Sequence, residues 1–152
     1  DLKGKKQRSK LLDKMSFGAY NKPFAAENPT GFEWLSQDRE EVRKYVEDPL
    51  CGFISTTGMY LDLFEGLKII NHPDCFKGTF NKLPLLLYSG LADPVGGQGK
   101  GVKAVASSYE TYGSEDVTLI LKENLRHECL NELDRQKVFH EIYDWLAAHI
   151  PG

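Results

Sequence analysis

The sequence predicts an α/β fold with parallel strands and flanking helices, preceded by a helical region. Three observations carry this. Residues 79 to 152 read strand, helix, strand, helix, the order that implies parallel pairing. Leu85-Leu86-Leu87 is a continuous apolar run, as expected of a strand buried on both faces. Residues 1 to about 78 contain no convincing strand.

In the first region, one helix starts near Ser36 to Asp38, carries Val42, Tyr45 and Val46 at helical spacing, and stops before Pro49. A second runs from Thr57 to Ile70 with Met59, Leu63, Leu67 and Ile70 on one face. A loop rich in turn residues (Asn21, Pro23, Asn28, Pro29, Gly31) precedes both. In the second region, the strands are Leu85–Gly90 and Val117–Leu121. A helix over Gly99 to Tyr112 turns Val102, Val105, Ala106 and Tyr109 inward. Another over Asp134 to His149 does the same with Val138, Ile142, Trp145 and Leu146. Two strands alone make a marginal sheet with open edges. The sequence therefore predicts further strands, from an N-terminal segment in the same polypeptide or from a partner chain.

Composition narrows the function. With 152 residues, 41% hydrophobic and 27% charged, the chain suits one globular domain. A net charge of −3 argues against general affinity for nucleic acid or anionic membrane. Cys51, Cys75 and Cys129 are scattered and odd in number, which predicts buried thiols in a reducing compartment. No apolar run has the length of a membrane span and the first residues resemble no signal peptide, so the expectation is a soluble, cytoplasmic protein. The basic stretch Lys3, Lys5, Lys6, Arg8 and Lys10, leading into Leu11, Leu12 and Met15, allows weak membrane contact; a solvated helix face is the favoured reading, because acidic residues dominate the rest of the chain.

Two positions carry candidate chemistry. Asp93 lies three residues beyond the first strand, and His127 lies just past the second. Alone, Asp93-Pro94 is a common turn and His127 an ordinary loop histidine. Together they stand after the carboxyl ends of parallel strands, the edge where open α/β sheets bind ligands. A buried carboxylate that accepts an imidazole N–H fixes the tautomer and leaves the other nitrogen to take a proton from a serine. In an α/β hydrolase the order is nucleophile, acid, histidine, with the nucleophile in G-x-S-x-G. That motif is absent from this sequence.

Other motifs fail on spacing. The run Gly96-Gly97-Gln98-Gly99-Lys100-Gly101 sits too far from the strand for a dinucleotide fingerprint. It also lacks the Ser/Thr of a P-loop, so it reads as a tight entry into a helix beside Asp93. His127-Glu128 begins a zincin motif that Asn131 breaks. His72, Cys75, His127 and Cys129 match no standard zinc spacing, and Cys75 reads as core.

The segments Pro84-Leu-Leu-Leu-Tyr-Ser-Gly-Leu-Ala-Asp93-Pro-Val-Gly96 and Asn124-Leu-Arg-His127-Glu-Cys-Leu-Asn131-Glu132 resemble the C-terminal portion of the monoacylglycerol lipase/lysophospholipase-like, serine aminopeptidase S33-type α/β hydrolases. Upstream, Phe17-Gly18, Asn21-Lys22, Phe32-Glu33-Trp34-Leu35-Ser36 and Asp48-Pro49-Leu50-Cys51-Gly52 resemble that family's helical cap. The resemblance implies that 1–78 is a cap and 79–152 the last two strand-helix units. It implies Asp93 as triad acid, His127 as triad base, and Phe17, Trp34, Phe53 and Met59 as residues lining an acyl pocket. It further implies a small acyl ester or lipid as substrate, no cofactor, and a missing N-terminal half carrying the serine. Ser89 does not replace that serine, since it lies inside a strand and in no elbow. The alternative is a non-catalytic lipid- or partner-binding module derived from a hydrolase.

Overall fold

A computed structural model describes residues 4–27, 30–77 and 81–150. Lys3, Asn28, Pro29 and the proposed division at 78/79 lie outside the described residues.

Strand β1 (Leu85–Gly90) pairs in parallel with β2 (Val117–Lys122), in register from Leu85↔Val117 to Gly90↔Lys122. Helix α5 (Lys100–Thr111) connects them and α6 (Arg135–His149) follows. Side chains alternate across a strand, and the contacts follow that alternation. Tyr88 and Lys122 bond Glu141 of α6 (2.8 and 2.7 Å), and Thr118 accepts from the Trp145 indole of α6 at 2.9 Å. The other face carries Leu87 and Leu121 toward α5 and its approach. Parallel pairing puts both strand C-termini on one edge, and the loops leaving them are stitched together there. Leu91 N–H donates to Lys122 O and Ala92 N–H to Leu125 O (2.9 and 3.0 Å).

The glycine run enters α5 as the sequence requires. Gly99 caps the helix at φ 82°, and a Cβ there would meet a Leu91 methyl at 2.7 Å. The apolar periodicity of α5 holds, with Ala106 buried and Val102, Val105 and Tyr109 half-buried. In α6, Val138 is buried and Ile142 and Trp145 half-buried, but Leu146 is exposed, against expectation. Leu85, Leu86 and Leu87 are also only half-buried, since two strands leave each sheet face partly uncovered.

The first region holds more structure than the sequence disclosed: helices α1 (Lys10–Phe17), α2 (Arg39–Glu47), α3 (Thr57–Ile70) and α4 (Pro73–Phe76). Side-chain caps start the first three: Ser9 accepts from Leu12 N–H, Asp38 from Glu40 N–H and Thr56 from Met59 N–H. An antiparallel bridge between Arg8 and Thr56 ties the approach to α1 to the start of α3. Tyr60 is fully buried, and its hydroxyl meets Asp13 of α1 at 3.3 Å.

The buried residues of α3 are Gly58 and Tyr60, whereas Met59, Leu63, Leu67 and Ile70, which share one face, are exposed. An apolar stripe marks a face to be covered, and nothing among the described residues covers this one. Cys75 is exposed, not core; the buried residue of α4 is Phe76, packed edge-on to Tyr109 and stacked on Tyr112. No helix of the described residues is long and apolar enough to cross a membrane.

Candidate active site

Asp93 is both the turn former and the presented carboxylate. Its Oδ1 accepts Val95 N–H at 2.8 Å and its Oδ2 accepts Gly96 N–H at 3.2 Å. These bonds fix the carboxylate while the loop turns over Asp93-Pro94. Gly96 is glycine for a local reason: a Cβ would lie 3.2 Å from Asp93 Oδ2 and 3.1 Å from a Val102 methyl. Asp93 is 6% exposed, so its charge needs a partner.

That partner is His127, whose Nδ1 lies 3.2 Å from Asp93 Oδ1. Burial alone would raise the Asp93 pKa, but the bond to His127 and the backbone N–H groups of Val95 and Gly96 hold it below the ordinary carboxylate value. The same bond raises the His127 pKa, against burial. With Asp93 ionised, Nδ1 is the donor and Nε2 keeps the lone pair. Nε2 makes no hydrogen bond among the described residues, and the His127 side chain is 37% exposed. The pair can therefore accept a proton at Nε2 and stabilise the resulting imidazolium.

His127 follows a turn at Asn124, which takes φ 68°. Its neighbour Arg126 is 7% exposed, with both Nη groups hydrogen-bonded. The guanidinium donates to Glu33 O (2.7 Å), Ser36 O (3.2 Å) and Glu27 Oε2 (2.6 Å), over the Phe24 ring. Glu33 is buried beside it. Burial would raise its pKa, but the Thr30 backbone and hydroxyl, with Asn21, bring it down to about 2. Segment 33–36 is thereby held on the histidine loop, with Trp34 ring-to-ring with His127 at 5.2 Å. Sequence reading missed Arg126, Glu33 and Glu132 as site-building residues. Their cues were that charged residues recur around His127 and before Trp34, and that all three fall within the segments that resemble the hydrolases.

Phe17, Trp34 and Phe53 line one cleft of about 270 Å³, together with Phe32, Tyr45 and Leu50. Trp34 joins that cleft to His127. Met59 does not line it: the Gly58 and Tyr60 face of α3 turns inward, so Met59, one residue off, turns away. Ser89 is buried, its hydroxyl 3.4 Å from the Gly90 carbonyl oxygen. Among the described residues no three His, Cys, Asp or Glu converge as a metal site.

The family described as serine aminopeptidase, S33 matches residues 4–134. Among solved structures, a highly thermostable carboxyl esterase from Bacillus coagulans in complex with glycerol superposes with a TM-score of 0.84 at 23% identity, covering 97% of this chain and 48% of that one. A lipase in its open form gives 0.81 at 26% identity, over 96% and 47%. A soluble variant of monoglyceride lipase from Saccharomyces cerevisiae, in complex with a substrate analog, gives 0.62 at 18%, over 87% and 51%. The chain thus spans about half the length of these structures. No curated protein matches it.

Proposed function

This chain belongs to the serine aminopeptidase, S33 family of hydrolases, and on that footing we propose that it carries the acid and the base of a serine hydrolase of carboxylic esters. The observation that supports this most is the buried Asp93 carboxylate on His127 Nδ1, 3.2 Å away, at the C-terminal edge of two parallel strands. In the complete enzyme a serine outside this sequence attacks the ester carbonyl and His127 Nε2 takes its proton. Asp93 holds the tautomer and stabilises the imidazolium, and His127 returns the proton to the leaving alkoxide. The serine and the oxyanion donors come from an N-terminal half, in the same polypeptide or as a separate chain, which leaves this chain inactive alone.

The substrate reading is a monoacylglycerol or lysophospholipid. It is supported by the aromatic cleft that Trp34 connects to His127, large enough for part of an acyl chain. Residues 1–78 then act as the cap and 79–152 as the last two strand-helix units. Three free thiols accord with a reducing, cytoplasmic compartment.

A second reading has its own support. The sequence has no G-x-S-x-G, and Phe17, Trp34 and Phe53 share one cleft, as a lipid-holding module would need. Ester turnover by the completed hydrolase, against His127→Ala and Asp93→Asn, decides between them. Loss of most activity in both variants is expected. Unchanged turnover in both overturns the catalytic reading, and fatty-acyl binding without turnover by the monomeric chain supports the module.

A further inference from the structure

Glu132 is fully buried and takes no part in the acid-base pair. A buried carboxylate is costly unless hydrogen bonds satisfy it, so its partners reveal what it holds. Its Oε1 accepts Arg126 N–H at 2.8 Å, and its Oε2 accepts Gln37 N–H at 3.1 Å and the Gln37 side-chain amide at 3.3 Å. One carboxylate therefore grips two segments distant in sequence, 33–37 and 126–132.

Further bonds bind the same two segments. His127 N–H donates to Trp34 O at 3.3 Å and Glu128 N–H to Leu35 O at 2.8 Å. The Ser36 hydroxyl donates to Asn131 O at 2.9 Å. The result is the Trp34 ring against the imidazole at 5.2 Å, inclined by 45°. The charged groups at His127 are Asp93, across the loop, and Glu128, next in the chain.

We propose that Glu132 is the positioning residue of His127: by clamping segment 33–37 onto the histidine loop, it sets the imidazole between the Trp34 ring and Asp93. Glu132 touches no reacting atom and acts through the backbone one residue before His127. The proposal rests on the hydrolase reading only for its effect on turnover. The effect on the His127–Asp93 bond stands without it. Glutamine at 132 would turn an amide N–H against one of the backbone donors. Aspartate would keep the charge but fall short of spanning both segments.

The test is a titration of the 15N-labelled His127 imidazole by NMR in the intact chain, for wild type, Glu132→Gln and Glu132→Asp. Both variants are expected to lower the His127 pKa by about half a unit or more, as the bond to Asp93 loosens. A fall in Glu132→Gln alone would mean that the charge acts directly, and would overturn the clamp. Lower melting temperatures with unchanged titrations would make Glu132 merely structural and overturn it too. Should both variants fail to fold, Gln37→Ala removes the side-chain amide that joins Glu132 Oε2 to segment 33–37 and also donates to the Asn124 carbonyl of the histidine loop at 2.7 Å, without orphaning a backbone N–H; it must shift the titration the same way, and no shift there overturns the proposal. In the completed hydrolase, kcat should fall about tenfold with KM nearly unchanged. Turnover indifferent to His127→Ala would instead overturn the hydrolase reading and leave the titration result standing.

Discussion

Gly90 lies so close under Leu125 that a Cβ added to it would stand 1.9 Å from the Leu125 carbonyl oxygen. That carbonyl accepts Ala92 N–H at 3.0 Å, one residue before Asp93, and its own residue lies two before His127. The end of β1 thus carries the histidine loop directly on its backbone, and Asp93 and His127 are registered through this contact.

Gly90→Ala should therefore push the two loops apart. Overpacking of this kind costs about 2 kcal/mol of stability, and a shift of the histidine by about 1 Å costs about a hundredfold in turnover. Thermal melts and ester hydrolysis in the completed hydrolase check both. Wild-type values would mean that the loops move freely.

The pH dependence follows from the pair. His127 has a raised folded pKa, so its share of stability is present below its unfolded value and lost as pH rises through the folded one. Asp93 has a lowered folded pKa, so its share is present above its unfolded value and lost as pH falls through the folded one. Stability from the pair is fullest between these limits. As a base His127 must be neutral, so kcat/KM should rise with pH through a limb above the ordinary histidine value of 6.5. Asp93→Asn should lower that limb and reduce kcat by about four orders of magnitude.

Arg126→Met would leave the Glu33 and Ser36 carbonyls without their buried donor. The expected loss is about 3 kcal/mol, read from the midpoint of denaturant unfolding. A loss below about 1 kcal/mol would show that water replaces the guanidinium there.

Phe53 is 55% exposed, so its removal should cost little stability. If its cleft holds an acyl chain, Phe53→Ala should lower kcat/KM about tenfold for long-chain esters and leave acetyl esters nearly unchanged. An equal loss for both would remove the cleft from acyl recognition.

What the sequence disclosed depended on range. Strand β1 and helices α3, α5 and α6 were legible because apolar spacing is written locally in each. So was the pairing of Asp93 with His127, because parallel strands bring successive C-terminal loops to one edge. The solvated helix face read at the basic stretch is α1, whose Leu11 and Met15 stay largely exposed. The apolar stripe of α3 shows which face wants covering, not what covers it, and that face is exposed. The grip of Glu132 on Gln37 and the hold of Arg126 on Glu33 join residues more than ninety positions apart. No spacing rule connects them, and only the folded chain brings them together.

The central claim is that Asp93 and His127 serve a serine nucleophile that this sequence does not contain. Fluorophosphonate labelling of the native material, read by denaturing intact-mass spectrometry, tests it most directly. The account predicts a label on a longer polypeptide containing this sequence, or on a second chain that co-purifies with it, and loss of that label in His127→Ala. A label on Ser89 or another serine of this chain, or labelling indifferent to His127→Ala, would contradict it.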